Sequence, residues 1–269
     1  MKMISKGFTA LAFALTFAAA AAFADEKGTA VMQAALDVEK PKFSKSMVEM
    51  KLKDLKSGDE EVRQIVEYGR NYDNGAGHKV TDMVMLFQSP ANIKDTRFLQ
   101  KENYGKDDDK WIYLPALKNT RRVNTSEGSK AFVGSDASYD DMSTREIDED
   151  DHQYQGVEEK TVRGTTYTCD KVKEVPHDKK NSQYSYRITW VDQATHVPVY
   201  TEMYDKDGKL EKTLEVPVIV NYKGYTITKE AYLTNVQKKH STALIIKKLV
   251  VDEAIPDRVF TADFLKTGK

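Results

Sequence analysis

The chain carries 269 residues, 40% of them hydrophobic and 31% charged, a composition that builds a core rather than staying disordered. Its 41 Lys and Arg nearly balance 42 Asp and Glu for a net charge of −1, without the basic excess of a nucleic-acid binder. Cys169 is the one cysteine, which excludes an intramolecular disulfide and a cysteine-built zinc centre.

Lys2 and Lys6 precede an apolar run from Phe8 to Ala22, and Ala22-Phe23-Ala24 then leads into Asp25. This pattern predicts a secretory signal cleaved after Ala24, delivering residues 25–269 to the periplasm as a single domain. No later apolar stretch reaches the length of a membrane-spanning helix. Gly28–Val38 reads as one short amphipathic helix, ended before Pro41.

From there the pattern alternates with period two. In Met47–Leu55 the side chains of Val48, Met50 and Leu52 face one way, and Glu49, Lys51 and Lys53 the other. Val62–Arg70, His78–Gln88, Thr96–Tyr104, Lys110–Leu114 and Thr120–Thr125 continue the rhythm. It resumes in Arg163–Val175, Gln183–Asp192, Pro198–Tyr204, Lys209–Val216, Tyr225–Gln237 and Thr242–Asp252. Asp205-Lys206-Asp207-Gly208 predicts a hairpin turn, and Pro217 and Asn221-Tyr222-Lys223-Gly224 mark further turns. The expectation is a mainly β protein of about eleven strands in one large antiparallel sheet or barrel. Between the two series, residues 134–155 are polar and acidic, densest at Glu146–His152. That stretch reads as a solvated loop with a short helical piece, lying over or beside the sheet.

Few residues point to catalysis. Asp107–Asp109 and Glu146–Asp151 lack the alternating ligands, central glycine and closing glutamate of a calcium loop. His78, His152, His177, His196 and His240 are scattered with no H-x-x-x-H pair, so no metal or cofactor is expected. There is no G-x-S-x-G elbow and no glycine-rich phosphate loop, and Cys169 reads as a buried thiol on a strand. The distinctive feature is flexible and aromatic apolar surface on neighbouring strands: Met50, Met83, Met85, Phe87, Phe98, Trp111, Tyr113 and Phe132. Methionine adapts to irregular apolar partners, so a concavity lined this way suits an acyl chain. The alternative for each is an ordinary core position. A sheet this long has more inward positions than one short helix fills, which favours a hollow.

Leu86-Phe87-Gln88-Ser89-Pro90, Thr96-Arg97-Phe98-Leu99 and the run Asp109-Lys110-Trp111-Ile112-Tyr113-Leu114-Pro115-Ala116-Leu117-Lys118 precede Arg121-Arg122-Val123. Then come Phe132-Val133-Gly134-Ser135-Asp136, Tyr139-Asp140-Asp141-Met142 and the ending Ile255-Pro256-Asp257-Arg258-Val259-Phe260 with Phe264-Leu265. This order resembles the outer-membrane lipoprotein-sorting proteins of the LolA/LolB-like superfamily, over most of the mature chain. The resemblance implies an incomplete, half-open antiparallel β-barrel with a few helices covering an apolar cavity. It implies a non-catalytic carrier that takes up lipid or lipoprotein acyl chains and moves them toward the outer membrane; the mixed, nearly balanced charge fits a monomer. An inner-membrane export complex would load it and an outer-membrane acceptor unload it, with Arg121 or Arg122 holding the lid or meeting the cargo's head group. Two rivals stand beside this reading: a sensing or scaffold protein binding a protein partner through the same half-barrel, and an enzyme acting on envelope lipid or glycan.

Overall fold

The alternating side chains become thirteen strands of one antiparallel sheet in the computed structural model, which describes residues 25–75 and 77–268. The proposed secretory signal, residues 1–24, lies outside the described residues. After α1 (Glu26–Leu36) come β1 (Phe43–Asp54), β2 (Glu60–Asp73), β3 (Lys79–Ser89), β4 (Arg97–Lys101), β5 (Asp109–Leu114) and β6 (Asn119–Arg122). A long crossover, residues 123–149, then leads to β7 (Asp150–Val162), β8 (Thr165–Pro176), β9 (Tyr186–Asp192) and β10 (Pro198–Tyr204). The chain ends with β11 (Leu210–Tyr222), β12 (Tyr225–Asn235), β13 (His240–Val251) and α2 (Ala262–Thr267).

The strand order is 6-5-4-3-2-1-13-12-11-10-9-8-7. Almost every neighbour is consecutive in sequence, as hairpin turns dictate. The exception is β1 against β13, where Met50 stands opposite Leu244 and the two halves of the chain are joined. Strands β6 and β7 form the two edges, so the barrel stays open. The crossover runs from one edge to the other.

Two expectations need correction. The acidic stretch keeps Asp148 and Glu149 exposed but its end does not stay in solvent: β7 starts at Asp150, and Asp150 and His152 are buried. Arg145 explains this, because its guanidinium donates to both Asp150 oxygens at 2.6 and 2.9 Å and neutralises the carboxylate. Pro217 does not end a strand but lies within β11, at an irregularity between Glu215 and Val218 where the ladder has no need of its missing N–H. Its carbonyl accepts from the Tyr167 hydroxyl at 2.9 Å.

In the half of the sheet made by β1–β6, β3–β5 carry packed apolar residues on both faces. On the inner face, Val48, Met50, Leu52, Ile65, Met85, Phe87, Phe98 and Ile112 pack against Val123, Phe132 and Tyr139 of the crossover. On the outer face, Val84, Leu99, Trp111 and Tyr113 meet Val259, Phe260, Phe264 and Leu265 of the C-terminal segment. Arg97 ties that segment down by donating to the Leu265 carbonyl at 2.7 Å. In the other half, β7 rolls toward β11, with Arg163 and Glu215 paired at 2.8 Å. Val162, Cys169, Trp190 and Val199 fill that corner, where burial pushes the Cys169 thiol up to about 11. Helix α1 is capped by Asp25, whose carboxylate accepts from Gly28 N and, at 2.7 Å, from Tyr154 N of β7. A Cβ on Gly28 would lie 2.9 Å from the His152 carbonyl, so this close approach of helix to strand requires glycine.

Candidate ligand-binding trough

The inner face of the half-barrel is a trough, and the crossover fills one end of it. Its tip is a tight loop in which Phe132 N donates to the Ala137 carbonyl at 2.7 Å. Gly134 turns the loop at φ +75°, next to Val133 at φ +46°. A β-branched residue in the left-handed region is strained by about 1–3 kcal/mol, so the surroundings must hold it. The buried Arg63 does so, its Nη1 donating to the Val133 carbonyl at 2.5 Å.

This loop drives Phe132 into the trough, fully buried, with ring centroids 4.8 Å from Phe98, 5.7 Å from Tyr139 and 6.2 Å from Phe87. Two buried carboxylates fasten the plug to distant strands. Asp136 accepts from Thr242 Oγ1 at 2.6 Å and lies 2.8 Å from His240 Nδ1. Asp141 accepts from Lys212 Nζ at 2.8 Å, the Tyr184 hydroxyl at 2.9 Å and Gln183 Nε2 at 2.8 Å. Burial beside Asp141 pushes the Tyr184 hydroxyl far above its ordinary range, so it serves as a fixed donor.

Beyond Met83 the trough is open. A cavity of about 340 Å³ is lined by Ser44, Ser46, Glu67, Met83, Gln100, Met142, Ile227, Ile246 and Leu249 among others. It adjoins a second cavity of about 630 Å³ near the end of α1, and Lys40, Asn71, Thr81, Glu102 and Thr144 line both. His78 and Tyr104, stacked at 3.4 Å, stand on the wall of the second. These volumes fall in the range of small-molecule pockets.

Of the eight apolar residues singled out in the sequence, the fold brings six together on the inner face: Met50, Met83, Met85, Phe87, Phe98 and Phe132. Met83 lines the open cavity, Met50, Met85, Phe87 and Phe98 are buried under the plug, and Phe132 is part of the plug itself. Trp111 and Tyr113 lie on the outer face, against the C-terminal segment. Arg121 stands opposite Ile112 on the inner face and pairs with Glu127 at 2.7 Å. Arg122 stands opposite Trp111 and pairs with Asp109.

Sequence reasoning missed Glu67, Gln100, Ile227, Ile246 and Leu249 as lining, and Asp136, Asp141 and Lys212 as fasteners. The sequence carries no signal that singles out Glu67, because the inner positions of β2 run Glu61, Arg63, Ile65, Glu67, Gly69 and are mostly charged. A second cluster, Asp150, His152 and Glu174, places three potential metal ligands within 4.8 Å of one another. Arg145 already neutralises Asp150 and Thr189 donates to Glu174, so two of its three members are engaged by the protein itself.

Burial pushes the Glu67 carboxyl up to about 7. The folded protein therefore holds a proton that the unfolded chain, with its ordinary value of 4.5, releases. This group's contribution is fully present below pH 4.5 and is lost as pH rises through about 7. Glu67→Gln is expected to remove that decline and to be more stable than the parent at pH 8 by about 1–3 kcal/mol. Urea unfolding at pH 5 and pH 8 checks this; an unchanged pH slope would refute it.

Among the described residues, no helix is long and apolar enough to cross a membrane. A family model described as that of an uncharacterized protein matches residues 79–267. No curated protein matches the chain. The chain is similar to a solved domain from Vibrio parahaemolyticus described as an outer membrane lipoprotein-sorting protein, with 28% identity and a TM-score of 0.80 over 90% of this chain and 99% of that one. A DUF1329 family protein from Desulfovibrio piger matches at 24% identity and a TM-score of 0.81, again over 90% and 99% of the two chains. A LolA superfamily protein from Nitrosomonas europaea shares the fold, at 16% identity and a TM-score of 0.62 over 88% and 98%.

Proposed function

Because the chain belongs to the uncharacterized-protein family whose model spans residues 79–267, a LolA/LolB-like family, we propose that it is a periplasmic carrier for lipid or lipoprotein acyl chains, acting without catalysis. The observation that supports this reading is the open trough, whose cavity has an apolar wall of Met83, Met142, Ile227, Ile246 and Leu249. The likeness to the Vibrio parahaemolyticus lipoprotein-sorting domain supports it further. The apolar run from Phe8 to Ala22 supports export.

Exposing an acyl chain to water costs about 0.8 kcal/mol per CH₂, or about 12 kcal/mol for a chain of roughly fifteen methylenes. A trough that replaces membrane contacts with apolar side chains removes most of that barrier. The acyl chain lies along the apolar wall, with Phe132 and Tyr139 of the plug closing the far end. When the plug lifts, Met50, Met85, Phe87 and Phe98 extend the lining. The polar side chains that share the cavity keep binding weak enough for release to an outer-membrane acceptor.

The test is native mass spectrometry of residues 25–269 purified without detergent, with displacement of an environment-sensitive fluorescent acyl probe. Co-purifying lipid or acylated peptide is expected, as is a loss of probe affinity of about tenfold or more in Ile246→Asp with the circular dichroism spectrum unchanged. A protein that is reproducibly empty and takes up no probe would overturn the reading.

A further inference from the structure

The apolar wall accounts for a cargo's chain; the polar side chains opposite it bear on the head group. Glu67 sits on the inner face of β2, with Ser46 of β1 and Met85 of β3 as its cross-strand neighbours. It lines the cavity, and among the described residues its carboxyl has neither a hydrogen bond nor an ion pair; burial alone acts on it. A half-buried carboxylate without a partner is costly, and a cation or donor that reaches it lowers the cost.

The rest of the lining does not supply one. Gln100, 2% exposed, donates through its amide nitrogen to Asp108 Oδ2 and the Met142 carbonyl, each at 3.0 Å. Both partners are acceptors only, which fixes the amide so that Oε1 is left, just beneath the wall, without a donor. Glu102 accepts from Thr81 N at 2.7 Å and Thr144 Oγ1 at 2.5 Å, and neither brings positive charge. Asn71 is occupied by the Pro41 carbonyl and the Thr81 hydroxyl. Among the described residues Lys40, exposed at the mouth, is the one cation lining this cavity, while Lys42, Lys79 and Arg145 line the adjoining one. The cavity thus sets two carboxylates and an unpartnered carbonyl against one peripheral lysine. A carboxylate, phosphate or sulfate head would meet like charge there; an ammonium head would meet its complement.

We propose, resting on the carrier reading, that the trough selects amphiphiles with a primary ammonium head, held by the Glu67 carboxylate, while the acyl chain runs along Met83, Ile246 and Leu249. An amine-headed lipid and the free amine of an acylated peptide both carry this chemistry. Competition by lysophosphatidylethanolamine or by a palmitoylated peptide with a free lysine distinguishes them, and either satisfies the proposal.

The test is calorimetric titration of residues 25–269 with decylammonium, decanol and decanoate at pH 8, above the value of about 7 to which burial brings Glu67. Decylammonium is expected to bind about tenfold more tightly than the other two. In Glu67→Gln, whose thermal midpoint is not lowered, decylammonium is expected to fall to within about twofold of decanol, with decanol affinity unchanged. Glu67→Asp, which restores the charge, is expected to restore part of the preference. Equal affinities in the parent protein, or a preference that survives Glu67→Gln, would overturn the proposal and leave the carrier reading standing. Failure of all three amphiphiles to bind would overturn both.

Discussion

Replacing Phe132 by alanine is expected to destabilise the protein by about 3–5 kcal/mol, the usual cost of deleting a buried aromatic ring. Phe132 is fully buried and makes edge or tilted contacts with Phe87, Phe98 and Tyr139, so its loss leaves a cavity that none of these rings can collapse into. It also belongs to a loop that spends strain at Val133 to hold the ring in place. Urea unfolding measures the loss. A second readout separates plug from plain core: on the carrier reading, Phe132→Ala takes up an acyl probe faster than the parent, because the closed end of the trough is now accessible. A midpoint shift worth less than about 1 kcal/mol would show that the plug is not part of the cooperative core.

Lys212→Met is expected to cost a similar amount, about 3–5 kcal/mol at pH 7. Lys212 and Asp141 are both buried at side-chain exposures of 5% and 10%, and the substitution leaves the Asp141 carboxylate enclosed with its charge uncompensated. The double variant Lys212→Met with Asp141→Asn is expected to recover part of the loss, since the charge goes with its partner and Tyr184 can still donate to the amide oxygen. Urea unfolding of the two single variants and the double variant supplies the cycle. Additive losses would show that the pair is not coupled.

Much of the fold is legible in the sequence because one face of each strand is buried and alternation records it. Pro198–Tyr204 is read with the bounds that β10 has, and the turn at Asp205–Gly208 is where the chain reverses. What alternation cannot record is which buried face encloses the trough. Trp111 and Ile112 are neighbours of opposite parity, both apolar and both packed, and only the pairing of Ile112 with Phe98 assigns the inner face to one and the outer face to the other. The crossover is hidden for a different reason. Phe132-Val133-Gly134-Ser135-Asp136 and Tyr139-Asp140-Asp141-Met142 stand out as motifs, yet the cations and donors that bury Asp136 and Asp141 lie on β9 to β13 and their approaches, far along the chain. An acidic residue read without its partner looks solvated, and the start of β7, where Arg145 pairs with Asp150, is hidden in the same way.

A closed barrel has a bore fixed by strand number and stagger. Here β6 and β7 share no ladder, and the span between them is a tether rather than a row of hydrogen bonds. No closed ladder therefore fixes the circumference, as in a split ring held by a clasp; the fastenings at Arg63, Lys212 and Thr242 fix it instead.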